Sequence, residues 1–300
     1  MRATIAAPRR CFVSRGLREN APLDFRPMSA ERAEVIAFIG GGNMASAILG
    51  GLLRAGMSAA QFIVVEPVAA QRQKLAGEFG VQALPAGDAG LARATTVVWA
   101  VKPQLFAEAA APLKAWVSGA LQLSVMAGIR SDALAAATGA ERVVRSMPNT
   151  PALIGQGIAG LYARPAVSAD GRALVERLLA PTGQTLWVER EDDLDAVTAL
   201  SGSGPAYFFF FVEAMMAAAV DMGLSAEQGR RLALATCAGA AALGLASDES
   251  PTTLRERVTS KGGTTHAAIT SLQADTVDAA IRRAVLAAQK RAAELGREFG

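Results

Sequence analysis

Histidine and cysteine are nearly absent from this chain: 300 residues hold one histidine, His266, and two cysteines, Cys11 and Cys237. Two cysteines, one of them near the amino terminus, cannot build a disulfide framework or a thiolate metal site, and they fit a reducing, cytoplasmic setting. A single histidine excludes a histidine-rich metal centre, so no metal is expected. Long apolar runs are also lacking. The most apolar, Ala206 to Val220, is interrupted by Glu213 and falls short of the ~18–20 residues that a bilayer core requires. No transmembrane helix is expected; burial by a partner chain explains the run better. The body of the chain has no excess of either charge. Net charge is +3, but residues 1–30 hold six arginines against Glu19 and Asp24, which leaves 24 basic and 25 acidic groups elsewhere. The high isoelectric point belongs to that tail, and the body gives no reason to expect a nucleic-acid surface.

A chain of this length, 51% hydrophobic and 19% charged, suits a globular protein of two domains with a sizeable core. Residues 1–30 lack the apolar stretch of a secretory signal and read as a disordered extension, a targeting segment being the alternative. The organising stretch follows at once. Val35-Ile36-Ala37-Phe38-Ile39 runs into Gly40-Gly41-Gly42-Asn43-Met44-Ala45, and a helix-forming segment, Ser46 to Ala55, leaves it. Strand, glycines spaced G-x-G-x-x-A, then helix is the context of a dinucleotide-binding fingerprint. Gly40 permits the tight turn, Gly42 lets a diphosphate approach the backbone, and Ala45 keeps helix and strand close. The phosphates would sit on the helix N-terminus. The alternative is a glycine-rich turn in some other α/β protein.

From Val35 to about Val188 short β-branched runs alternate with alanine-rich helical stretches, which predicts βαβ units and a parallel sheet. The later strands are expected at 61–66, 81–84, 96–101, 121–125, 142–146, 158–162 and 185–188, with helices at 67–79 and 169–179 among them. Beyond Glu189 the strand signal stops. Asp192 to Leu200 reads as a helix, Ser201-Gly202-Ser203-Gly204 as a break, and Pro205 to Met222 as a helix apolar on nearly every face. Such a helix is buried all round, in a core or between subunits. Ser225 and Gln228 form a capping box for a helix to about Ala246. Helices at 251–258, up to Leu272 and at 278–295 complete the chain. The expected fold is an α/β dinucleotide-binding domain of the Rossmann type over 31–190, then an all-helical domain over 191–300 that binds substrate and dimerises.

Glu66 closes the second strand, where an acid commonly bonds the adenosine ribose hydroxyls. Arg72, on the next helix, could instead meet a 2′-phosphate, and the two signals conflict. Ala100-Val101-Lys102-Pro103 ends another strand on the edge where ligands bind in such sheets. Ala127-Gly128 ends the next, with side chains small enough for a flat nicotinamide ring. The loop Ser260-Lys261-Gly262-Gly263-Thr264-Thr265 opens a helix and forms a nest of N–H donors suited to an anion, a carboxylate being a simpler guest than a second phosphate. A glycine turn with threonine caps is the plainer reading.

Six segments in order, IGGGNMA, AVKP at 100–103, MAG at 126–128, RSMPNTPA at 145–152, SGSGPAY at 201–207 and SKGGTT at 260–265, resemble the pyrroline-5-carboxylate reductase family from Val35 to about Ala293. The resemblance implies NADPH-dependent reduction of 1-pyrroline-5-carboxylate to L-proline in proline biosynthesis, with NADH as the alternative cofactor. It implies a homodimer of interlocked helical domains, often five dimers in a ring, and an active site that takes residues from both members of a dimer. On this resemblance Gly40 to Ala45, Glu66, Ala100 to Pro103, Ala127 and Gly128 hold the cofactor. Ser260, Gly262, Gly263, Thr264 and Thr265 hold the substrate, its carboxylate on the N–H groups of Gly263, Thr264 and Thr265. Thr265 is the candidate catalytic residue, bonding the ring nitrogen. Lys261 departs from the family's usual proline, and residues 1–30 have no counterpart there. Glu66 stands where members preferring the phosphorylated cofactor often carry a neutral residue. His266 is a structural helix residue or a general acid. Two rivals share the plan: a β-hydroxyacid dehydrogenase and a non-catalytic dinucleotide sensor. The first uses a lysine on the helical side, and no lysine lies between Glu189 and Ser260.

Overall fold

A computed structural model describes residues 34–299; the expected extension over residues 1–30, with Cys11, lies outside them. Short apolar runs bounded by glycine, proline or helix give seven strands, β1 (Ile36–Ile39), β2 (Phe62–Val65), β3 (Thr96–Trp99), β4 (Leu121–Ser124), β5 (Val143–Met147), β6 (Gly157–Ala163) and β7 (Gly183–Trp187). They form one sheet in the order β2-β1-β3-β4-β5-β6-β7. Between them lie α1 (Asn43–Arg54), α2 (Ala69–Phe79), α3 (Phe106–Ala110), α4 (Lys114–Val117), α5 (Ser131–Thr138) and α6 (Ala169–Leu179). Successive side chains of a strand point to opposite faces, so each strand feeds two cores. Ile36, Phe38, Val64, Val98 and Leu123 pack with Ile48, Leu49 and Leu52 of α1 and Leu178 of α6. Ala37, Ile39, Val97 and Trp99 pack with Phe106, Leu113 and Leu134 on the other side. The fully buried Gln122 is satisfied at every position: its Oε1 accepts from Trp99 Nε1 at 2.8 Å, and its Nε2 donates to the carbonyls of Val117 and Ala120 at 2.8 and 3.0 Å.

The sheet departs from the sequence expectation twice. Residues 81–84 do not form a strand; Leu84 makes a single parallel bridge to Val65, and Pro85 behind it has no N–H to continue the ladder. The sheet is also not wholly parallel. β6 runs antiparallel to β5, while β7 is parallel to β6 through α6. The reversal follows from length: only residues 148–156, including a 3-10 turn at Thr150–Ile154, join β5 to β6, and a parallel crossover needs about a dozen residues or more.

Past β7 the described chain is helical: α7 (Asp193–Val197), α8 (Gly204–Asp221), α9 (Ala226–Leu245), α10 (Pro251–Arg257), α11 (Thr264–Ala274) and α12 (Val277–Phe299). The break expected at 201–204 is instead a π-helical turn, Thr198–Gly202, closed by Ser203 N–H on the Thr198 carbonyl at 2.8 Å. Thr198 and Ser201 hydroxyls donate to carbonyls one turn back, and Tyr207 OH reaches the Ala199 carbonyl at 3.0 Å. These bonds carry the helix through the glycines. The rod from Asp193 to Asp221 has 29 residues and is long and apolar enough to cross a membrane by length and composition. The sequence estimate was shorter because it stopped at the supposed break.

The expectation that α8 is buried all round fails within one subunit. Val212 and Ala219 are buried against α9, but Phe208 to Phe211 are 52–76% exposed. The capping box of α9 forms as expected: Gln228 N–H donates to Ser225 Oγ at 3.2 Å, and Ser225 N–H to Gln228 Oε1 at 2.8 Å. α12 returns to pack on α7 and the π turn.

A buried ionic cluster joins the sheet to the helical part. Glu191 accepts from Arg145 Nη1 of β5 at 2.7 Å and from the backbone N–H and hydroxyl of Ser131, at the start of α5, at 2.7 and 2.6 Å. At the exposed edge of the cluster Arg130 pairs with Asp192 at 2.9 Å. Burial pushes the Asp195 carboxyl above its usual range, against the pull of Arg145 and Arg130. Glu191→Ala would strand a buried guanidinium and should cost about 3–5 kcal/mol in urea unfolding. Glu191→Gln, which keeps the shape and one acceptor oxygen, should cost less.

Candidate active site

The fingerprint turn is built by the ends of three strands. Gly40 follows β1 with φ +95°, and its N–H donates to the Val65 carbonyl at 2.8 Å. A Cβ there would lie 2.6 Å from the Ala100 carbonyl oxygen and 3.1 Å from Val101 Cγ1. Only glycine fits both the left-handed conformation and the contact. Gly41 is buried; its N–H donates to Glu66 Oε2 at 2.8 Å, and its carbonyl accepts from Gln71 Nε2 and from Ser46 Oγ. Gly42 is extended, and the first helical bond of α1 runs from Ser46 N–H to its carbonyl at 2.8 Å. The N–H groups of Asn43, Met44 and Ala45 precede that bond, and no side chain caps the helix. A Cβ added at Gly42 meets nothing within 4 Å. The residues present therefore fit a diphosphate: there is space at Gly42, a row of open donors, and the positive end of a twelve-residue helix. Ala45 is buried against the sheet, as its size requires.

Glu66 is placed otherwise than a ribose acceptor would be. It is 8% exposed and turned under the loop, with Oε2 on Gly41 N–H and Oε1 on Val68 N–H, each at 2.8 Å. Arg72 lies over the end of β2, its Nη1 donating to the carbonyls of Glu66 and Pro67 at 2.9 and 2.7 Å. Lys102 is exposed ahead of the 3-10 turn begun by Pro103. Ala127 is half-buried. At Gly128, φ is +78°, and a Cβ would sit 3.3 Å from the Phe299 ring and 3.4 Å from the Leu295 carbonyl oxygen. The close approach of α12, unseen in the local sequence, accounts for the small residue there.

The second cradle forms at α11. Gly263 is extended, Ala267 N–H makes the first helical bond to its carbonyl at 3.1 Å, and no side chain caps the helix. The expected donor set shifts by one residue. Gly263 N–H is already spent on the Ser260 carbonyl at 3.0 Å, so the open donors are those of Thr264, Thr265 and His266. Ser260 Oγ stands 2.7 Å from where a Gly263 Cβ would be, which explains the glycine. Thr265 is half-buried; Ser260, Lys261, Gly262, Thr264 and His266 are exposed.

Gly40 to Ala45, Glu66, Ala100 and Val101 thus converge at the carboxyl ends of β1, β2 and β3. Among the described residues no hydrogen bond or ion pair links residues 260–265 to that group. A cavity of about 390 Å³ lies between the turn after β5 and the start of α8, lined in part by Asn149, Pro151, Ser201, Pro205 and Phe208. Asn149 Oδ1 accepts from Ile158 N–H at 3.0 Å. Sequence reasoning noticed those segments only as landmarks, because their proximity depends on the reversal of β6. Among the described residues no cluster of histidine, cysteine, aspartate or glutamate could hold a metal ion.

A glycine-fingerprint sheet followed by a helical unit with its own anion cradle defines a two-domain, dinucleotide-linked oxidoreductase. Residues 35–128 match the family described as NADP oxidoreductase, coenzyme F420-dependent, and residues 191–295 match pyrroline-5-carboxylate reductase dimerisation. The chain is 47% identical over 269 residues to the pyrroline-5-carboxylate reductase of Pseudomonas aeruginosa, covering 88% of this chain and 98% of that one. It is 42% identical over 268 residues to that of Haemophilus influenzae, covering 87% and 97%. A solved pyrroline-5-carboxylate reductase from Coxiella burnetii superposes with a TM-score of 0.83 at 35% identity, covering 88% of this chain and 99% of that one. A pyrroline carboxylate reductase from Plasmodium falciparum, solved with NADP bound, gives 0.78 at 27% identity, covering 88% and 98%. This chain belongs to the pyrroline-5-carboxylate reductase family.

The two fingerprint glycines should separate on substitution. Gly40→Ala forces a clash and a disfavoured φ and should cost at least about 2 kcal/mol in thermal or urea unfolding. Gly42→Ala should change stability by no more than about 1 kcal/mol yet weaken NADP+ binding, measured by calorimetry, because its methyl enters the space a phosphate needs.

Proposed function

We propose that this chain reduces 1-pyrroline-5-carboxylate to L-proline with NADPH, NADH being the weaker alternative, as the last step of proline biosynthesis in the cytoplasm. The observation that carries the reading is the pair of uncapped helix N-termini, one on each domain, in a chain whose family is named for this reaction. The N-terminus of α1 takes the diphosphate, and the ends of β3 and β4 flank the nicotinamide. The N-terminus of α11 takes the substrate carboxylate on the N–H groups of Thr264, Thr265 and His266, with Ser260 beside it.

The bound cofactor supplies a hydride. The cyclic imine, protonated at nitrogen, is already electrophilic, and adding the hydride to its carbon leaves a neutral amine. Little acid catalysis is needed, and the work of the protein is to align the reactants. Thr265 Oγ orients the ring nitrogen. The His266 imidazole is exposed on α11 and takes no part in the chemistry, only the backbone N–H of that residue being used. The exposed faces of α8 and α9 pair with those of a second copy to make a homodimer, and five such dimers can close a ring. That pairing, rather than a lipid bilayer, covers the phenylalanines of α8, and it brings the α11 cradle of one copy to the fingerprint of the other.

Purified protein should consume NADPH absorbance with pyrroline-5-carboxylate and not with keto acids. Consumption with keto acids instead would select the β-hydroxyacid reading, and none with either would leave a dinucleotide sensor. Thr265→Ala should lower kcat about 10- to 100-fold with unchanged NADPH affinity; normal turnover in that variant would refute the role. Phe210→Asp should shift the protein toward monomer in sedimentation and lower activity with it.

A further inference from the structure

We infer that cofactor choice in this chain rests on Arg72 alone, while Glu66 braces the fingerprint loop from beneath without discriminating. The inference rests on the reading of α1 as the diphosphate site. In a fingerprint fold the adenosine ribose lies beyond the end of β2. A carboxylate there would accept from both ribose hydroxyls and repel a 2′-phosphate. Here the carboxylate has been withdrawn. Both oxygens of Glu66 are bound to backbone N–H groups, of Gly41 in the loop and Val68 ahead of α2, and the residue is 8% exposed. Gln71 fixes the next peptide unit through the Gly41 carbonyl. Glu66 is therefore a positioning residue. It sets the turn that any dinucleotide meets, with or without the extra phosphate.

Arg72 has the opposite disposition. One nitrogen, Nη1, is anchored on the carbonyls of Glu66 and Pro67. A guanidinium carries five N–H donors in a rigid plane, so the donors of Nε and Nη2 are left over. Among the described residues no carboxylate forms an ion pair with Arg72. A half-buried arginine, held by two carbonyls at the end of β2 and lacking an anion of its own, suits a phosphate monoester. The conflict between Glu66 and Arg72 in the sequence is thus resolved: the acid is spent on two backbone N–H groups beneath the loop, and the base keeps donors open at the end of β2.

Calorimetric titration of NADP+ and of NAD+, without substrate, tests this. Wild type should bind NADP+ more tightly, and the preference should shrink as salt rises. Arg72→Ala should weaken NADP+ on the order of 10- to 100-fold, leave NAD+ within about twofold, and abolish the salt dependence of the preference. Arg72→Lys should recover part of the loss, since a point charge replaces a fork. Glu66→Gln should weaken both nucleotides by a similar factor and leave their ratio unchanged. Equal weakening of both nucleotides by Arg72→Ala, or a selective gain of NADP+ affinity in Glu66→Gln, would overturn the inference. Should Glu66→Gln fail to fold by circular dichroism, Arg72→Ala decides alone. Wild type that binds neither nucleotide would sink the dinucleotide reading itself, and this inference with it. Wild type that binds and turns over while the Arg72 variants behave as wild type would sink only the inference.

Discussion

The helical half of this chain cannot bury its own apolar surface, and the rest of the structure is arranged around that fact. Four consecutive phenylalanines of α8 stand more than half exposed, and so do Leu232 and Leu243 of α9, the helix packed on it. Each such side chain left in water forgoes roughly 1.5–3 kcal/mol. A pair of helices touching along one seam does not recover that. The match of residues 191–295 to a dimerisation family gives the same answer from sequence: this half self-associates.

The sheet half has no such deficit. Both faces of its central strands are covered, its buried glutamine is fully bonded, and its fingerprint loop is tied to β2, β3 and α2 by named hydrogen bonds and contacts. The Glu191 cluster fixes where the helical rod leaves the sheet, so the direction in which α8 projects is set by buried charge. A cofactor platform with both faces covered and an incomplete helical arm are the two parts of the chain; on the proposed pairing, the copy that completes the arm would also deliver the loop at residues 260–265.

Local features were legible in the sequence because local physics decides them. The strand before Gly40, the helix after Gly42 and the capping box at Ser225 all follow from neighbours a few residues away, and all three form. The parallel sheet was legible and the single antiparallel pairing of β6 with β5 was not, because strand direction there depends on the length of the β5–β6 connection, which residue preferences do not report. The glycines at 201–204 suggested a break, yet side-chain bonds to the helix backbone carry a π turn through them. The approach of Leu295 and Phe299 to Gly128, from the far end of the chain, could not be read from the residues around it. Glu66 is the sharpest case. Its position was legible and its orientation was not, because the N–H groups of Gly41 and Val68, which take one oxygen each, come within reach only in the folded loop.

The central claim is that the two cradles meet between subunits and not within one. Unfolding and refolding an equal mixture of two variants of low activity tests it most directly, one variant blocked at the fingerprint by Gly42→Val and the other impaired at the loop by Thr265→Ala. In a shared-site dimer each mixed pair holds one intact site, so the mixture should regain about a quarter of wild-type turnover. If the mixture stays no more active than its parents while mixed dimers are shown to form, each chain carries its own complete site and the account is wrong.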